Sequence, residues 1–89
     1  NPGSSPVPSM PLIQAIACTQ MRMSPAEALV GATLNAAWAL GQAHEVGSLA
    51  PGKSADFLIL DAEDYRQVAY HAGRNPVAQV RRQGRRIDA

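Results

Sequence analysis

The spacing of apolar residues divides the chain into a helical first half and an extended second half. Leu12, Ile13, Ile16, Ala17 and Met21 recur as one helical stripe behind Ser9-Met10-Pro11, a serine N-cap with proline in the first turn. Ser24-Pro25-Ala26-Glu27 announces a second helix. The serine accepts from the backbone at Glu27, the glutamate returns to the serine N–H, and proline is preset at the first helical position. Ala28, Leu29 and Ala32 form its apolar face. Thr33 is read as the cap of a third helix, Leu34 to Leu40, which Gly41 ends in a left-handed conformation. Asn35, Ala36, Ala37 and Ala39 keep that helix thin, and Trp38 is expected to be its one bulky core anchor.

The period then changes. Gly47-Ser48-Leu49-Ala50-Pro51-Gly52-Lys53-Ser54 is turn chemistry, and Ala55-Asp56-Phe57-Leu58-Ile59-Leu60-Asp61 reads as a short buried strand bounded by acids. Asp64 to Ala72 suits a short helix stopped by Gly73. Val77 to Arg82, a Gln83-Gly84 turn and Arg85-Arg86-Ile87 read as a β-hairpin. Helices first and strands later, without βαβ alternation, predict an α+β arrangement. Two or three strands do not complete a sheet, so these are expected to finish one begun elsewhere. The opening Asn1-Pro2-Gly3-Ser4-Ser5-Pro6-Val7-Pro8-Ser9 is a loop by composition, and without a leading methionine it reads as a chain taken up in mid-loop.

Composition narrows the options. Of 89 residues, 46% are hydrophobic and 17% charged, for a net charge of +1, so nothing draws the whole chain toward nucleic acid or a membrane surface. The single Cys18 excludes an internal disulfide framework and suggests a buried thiol in a reducing compartment. No apolar run approaches the ~20 residues of a membrane span, and the expected location is the cytoplasm.

The order of these segments resembles the amidohydrolase superfamily. The resemblance is carried by Asn1-Pro2-Gly3-Ser4, by Ser24-Pro25-x-Glu27-Ala28-Leu29 and by the helix from Ala32 to Gly41. Val46-Gly47-Ser48-Leu49-x-x-Gly52-Lys53-x-Ala55-Asp56 adds to it. Asp64-Tyr65, Tyr70-His71 and Asn75-Pro76-Val77 make it similar to the imidazolonepropionase family in particular. The resemblance implies an α+β fragment. Residues 1–46 would be the active-site loop and terminal helices of a metal-dependent (β/α)8 barrel, and residues 47–89 strands of a small composite β-sandwich.

The implied reaction is hydrolysis of the ring amide of 4-imidazolone-5-propanoate to N-formimidoyl-L-glutamate, with Zn or Fe activating water. The family's substrate contacts carry over onto Asn1, Gly3 and Ser4, on a loop that would form the lip of the active site. An asparagine amide both donates and accepts, a glycine admits close backbone approach, and a serine can hold a polar group. The family's metal-ligand aspartate would lie two residues before Asn1, and its histidines further upstream. No metal ligand is therefore expected in this chain, and the chain alone is expected to be inactive. The implied partners are a small-molecule substrate and the rest of the barrel, with a possible homodimer of the parent enzyme.

Blander readings compete at the remaining candidates. His44 and His71 have no ligand spacing to each other or to Cys18, and are expected at the surface and near a helix end respectively. Asp61, Glu63 and Asp64 read as solvated ends of elements, not paired catalytic carboxylates. Arg81, Arg82, Arg85 and Arg86 could bind phosphate or nucleic acid, but no aromatic residues interleave with them, and an arginine-guarded hairpin edge is preferred. Met10, Met21 and Met23, with Trp38, are expected in the core. The rival to a hydrolase segment is a stand-alone, non-catalytic interaction module derived from an amidohydrolase tail.

Overall fold

The first two predicted helix starts have their serine caps in place. The computed structural model describes residues 7–87. Helix α1 spans Met10–Gln20, with the Ser9 hydroxyl accepting from the Leu12 N–H at 3.3 Å. Helix α2 spans Pro25–Ala32 and carries the full capping box: Glu27 N–H donates to Ser24 Oγ at 3.1 Å, and Ser24 N–H to Glu27 Oε1 at 2.9 Å. Arg22, in a left-handed conformation with φ 59°, makes the joint between α1 and α2. Helix α3, Leu34–Ala39, ends as expected: Gly41 has φ 72°, its N–H donates to the Trp38 carbonyl, and the Gln42 N–H donates to that of Ala37. Thr33 differs from the expectation. Its hydroxyl donates 2.7 Å back to the Leu29 carbonyl of α2 and does not cap α3.

Gly47 is packed against α3 with φ 98°; a Cβ there would lie 2.8 Å from Ala37 Cβ and 3.1 Å from Leu34 Cα, so only glycine fits. Strand β1, Phe57–Leu60, then pairs antiparallel with β2, Val77–Arg82, which pairs with β3, Arg85–Arg86. The sheet order is β1-β2-β3, and a register irregularity at Ile59/Leu60 leaves Ala78 without a pairing partner in β1. Gln83 and Gly84, both with positive φ, form the two-residue turn that matches strand twist. The helix read over Asp64 to Ala72 shortens to α4, Gln67–Tyr70, after a turn.

Helix packing runs α3 on α2, α2 on α1, and α1 on α4. The buried apolar residues among those described are Ala15, Ala17, Ala28, Ala37, Val68 and Ala69, and no large side chain is fully buried. Here the structure corrects three expectations. Trp38 is 71% exposed and anchors no core; Met10 and Met21 are exposed, and only Met23 is half-buried. Strand β1 is not buried either, for Leu58 and Ile59 both face solvent. The physical reason is the same throughout. Periodicity identifies an apolar face, but whether another element covers it is a non-local fact, and these faces have no covering element among the described residues. The structure exposes 6651 Å², where a self-contained globule of this length exposes about 5,000 Å². Its radius of gyration is 13.5 Å, against about 12 Å for a compact chain of this size.

Candidate functional site

The residues with the strongest sequence case, Asn1, Gly3 and Ser4, lie outside the described residues. What the structure adds is the frame behind them. Ser9 caps α1 through its hydroxyl, and its carbonyl accepts from the Ile13 N–H at 3.2 Å, so the first turn of α1 starts at a defined point five residues after Ser4.

The acidic cluster resolves into separate structural pairs. Arg66 donates to both carboxylate oxygens of Asp64, at 2.9 and 2.6 Å, while the Arg66 backbone N–H donates to Oδ1 at 2.8 Å. These bonds, the side-chain ones foremost, hold the Asp64 carboxyl at about 2 instead of the ordinary 3.8. The same pairing raises the Arg66 guanidinium above its usual value. Both partners touch solvent, so this is a local clasp on the turn before α4. Asp61 pairs with Arg74 at 2.7 Å, tying the end of β1 to the approach to β2. Asp56 accepts from the Gln83 N–H and from the Ser54 hydroxyl, which together lower its carboxyl pKa. Asp56, Asp61 and Asp64 thus each have a structural partner, whereas Glu63 is tied in through its backbone N–H, which donates to Gln67 Oε1 at 3.2 Å.

Neither histidine joins a site. His44 is exposed beside Glu45 at 3.6 Å. His71 closes α4 with its backbone N–H on the Gln67 carbonyl, and its ring meets Tyr70 edge-on at 4.9 Å. Cys18 is half-buried. Among the described residues no three His, Cys, Asp or Glu side chains could hold a metal ion. On the hairpin, Arg81 donates to Gln79 Oε1 at 3.1 Å and to the Gly84 carbonyl at 3.5 Å, while its buried Nε has no acceptor. Arg82, Arg85 and Arg86 are exposed, as an edge-guarding reading requires.

The two largest of the concavities among the described residues differ in character. A groove of about 630 Å³ runs between the helices and the sheet, lined by Leu29, Ala36, Leu40, Val46, Leu49 and Phe57 among others. It is mostly apolar, with Thr33, Gln42, Ser48 and Asp56 as its polar lining; the Thr33 hydroxyl is already bonded to the Leu29 carbonyl and the Asp56 carboxylate to Ser54 and Gln83. A polar cleft of about 560 Å³ holds Asp61, Glu63, Gln67, His71 and Arg74. There Asp61 pairs with Arg74, and Gln67 Oε1 accepts from the Glu63 N–H. No helix among the described residues is long and apolar enough to cross a membrane.

Comparison with known proteins gives these elements a common context. The model of the amidohydrolase family matches residues 8–87. The chain is 52% identical over 85 residues to an imidazolonepropionase of Geobacillus thermodenitrificans, covering 96% of this chain and 20% of that protein. It is 55% identical over 84 residues to an imidazolonepropionase of Chloroflexus aggregans, covering 94% and 20%. To that of Desulfotalea psychrophila it is 51% identical over 87 residues, covering 98% and 21%. The chain thus spans about a fifth of the length of the curated relatives it matches.

Proposed function

The chain belongs to the amidohydrolase family, and from that premise we propose that it is the C-terminal part of a metal-dependent cyclic-amide hydrolase. The reaction is conversion of 4-imidazolone-5-propanoate to N-formimidoyl-L-glutamate in histidine degradation. The observation that carries this reading is identity of about one half to imidazolonepropionases, sustained over nearly the whole chain. The exposed helix and strand faces support it, because they need covering elements that a barrel and a sandwich would supply.

In this reading Asn1 orients the ring amide by donating and accepting, Gly3 lets the backbone approach the substrate, and Ser4 holds a polar substrate group. A zinc or iron ion, when bound, activates water and polarises the ring carbonyl. The described residues do not fit such a centre, so the metal is assigned to other parts of the enzyme and no step is derived through it here.

The test is a chimera in which this chain replaces the matching fifth of the Geobacillus thermodenitrificans enzyme. Turnover of 4-imidazolone-5-propanoate is expected, with Asn1→Ala lowering kcat/KM by about tenfold to a hundredfold, the range for a lost substrate-positioning contact. The isolated chain is expected to show no turnover. A folded, metal-loaded chimera without activity would sink the reading and return the chain to a non-catalytic interaction module.

A further inference from the structure

The positive charge of this chain is concentrated in one place. Of its eight basic residues, Arg81, Arg82, Arg85 and Arg86 fall on the β2–β3 hairpin, which carries none of the seven acids. Ahead of the hairpin, Arg66 donates to both carboxylate oxygens of Asp64, and Arg74 to Asp61 at 2.7 Å. On the hairpin the arginines face one another instead, Arg81 opposite Arg86 and Arg82 opposite Arg85, and like charges directly opposite weaken a strand pair. Arg81 is half-buried, yet its partners, Gln79 Oε1 and the Gly84 carbonyl, are both uncharged, and its buried Nε has no acceptor. Asp56, whose charge acts on Arg82, already accepts from the Gln83 N–H and the Ser54 hydroxyl.

We propose that the β2–β3 hairpin is a docking surface for carboxylate side chains supplied by the rest of the same protein, with Arg81 at its centre and Arg82 and Arg85 at its rim. A half-buried guanidinium without a counter-ion is costly, and its planar fork matches the two oxygens of a carboxylate, as Arg66 does with Asp64. The acids of this chain do not serve, since Glu27, Asp56, Asp61 and Asp64 are held by partners of their own. The chain spans about a fifth of its relatives' length and exposes more surface than a self-contained globule of its size, so a covering surface belongs to the remainder. Acidic protein is favoured over nucleic acid because no aromatic residue interleaves with the four arginines to stack on bases. The residues that close this edge to a further strand thereby fasten it through side chains alone. The proposal shares with the functional reading only the premise of a longer protein, and its test reads no turnover.

The experiment uses the full-length protein that carries this chain. Arg85→Lys keeps the charge and supplies an amine, which a zero-length carbodiimide joins to a touching carboxylate. Mass spectrometry is expected to map an intramolecular cross-link from position 85 to an Asp or Glu outside residues 1–89. Arg85→Glu gives a test of sign. On a solvated hairpin the new acid faces Arg82 in register and relieves repulsion, so Tm holds or rises. On a hairpin seated against carboxylates, Tm falls by about 2 °C, and the loss shrinks at about 1 M NaCl, where the screening length is about 3 Å. If Arg85→Glu fails to fold, the cross-link from Arg85→Lys decides. An unchanged or raised Tm, cross-links confined to this chain or formed only between two copies, or no cross-link at all would overturn the proposal. Retention on heparin that Arg85→Glu abolishes, without a cross-link, would overturn it in favour of a polyanion. Failure to hydrolyse 4-imidazolone-5-propanoate would remove the reaction assignment and leave these results standing.

Discussion

In the helical layer, elements are closed by residues three to six positions away: Ser24 with Glu27, Gln42 with Ala37, Met23 with Ala17. In the sheet the closing bonds reach across the sequence. Asp61 N–H donates to the Pro76 carbonyl, Gly84 N–H to that of Ala55, and Gln83 N–H to the Asp56 carboxylate 27 positions earlier. The first region therefore has its boundaries written locally, while the second has boundaries that exist only once strands have met. Neither region buries its large side chains, as Trp38 and Leu40 in one and Leu58 and Ile59 in the other show. Element formation and element coverage are thus separate physical events in this chain.

That contrast can be broken most severely at the joint. Gly47→Val would force a β-branched residue to φ 98° and drive its Cβ into Ala37 and Leu34. The expected cost is about 3 kcal/mol, from left-handed strain and overpacking together, read as a lower urea midpoint. An unchanged midpoint would show that the close approach of the loop to α3 is dispensable. A smaller change sharpens the local side. Ser24→Ala removes the capping box and is expected to cost about 1 kcal/mol, with faster amide exchange confined to the start of α2. Faster exchange in β1 and β2 as well would deny that the helical boundaries are local.

The mildest test is acidification. Because the folded Asp64 carboxyl lies at about 2, below its ordinary 3.8, its contribution is fully present above 3.8 and is lost as pH falls through about 2. A carboxyl resonance titrating in that window, together with loss of a stability slope there in Asp64→Asn, is the expected result. A resonance titrating at the ordinary value would remove the Arg66 clasp.

Legibility in the sequence followed the same division. The Ser9 and Ser24 caps, Gly41 and the Gln83-Gly84 turn were all readable, because each depends on residues within one turn. Trp38 was not. A tryptophan in an alanine-rich helix marks a large apolar surface, but its burial depends on a partner that local pattern does not name. Thr33 was half-readable: a threonine between two helices signals a junction, yet its hydroxyl can cap forward or bond back, and Leu29 receives it. The docking of α4 on α1 left almost no signal, since Val68 and Ala69 belong to a four-residue helix too short to show a period. The expectation for Asn1, Gly3 and Ser4 came from the resemblance, since no periodicity marks them, and these residues lie outside the described ones; local pattern gave the histidines, the acids and Cys18 no ligand spacing.

The two edges of the sheet also differ in what they permit. On β3, Arg85 and Arg86 stand opposite Arg82 and Arg81 in register, a concentration of like charge that discourages a further strand. On β1 the outer edge is Phe57-Leu58-Ile59-Leu60, without a charge and without a strand partner among the described residues. Among the described residues, β1 is therefore the edge on which an added strand meets no charge, and that uncharged edge is where a stray strand would add first.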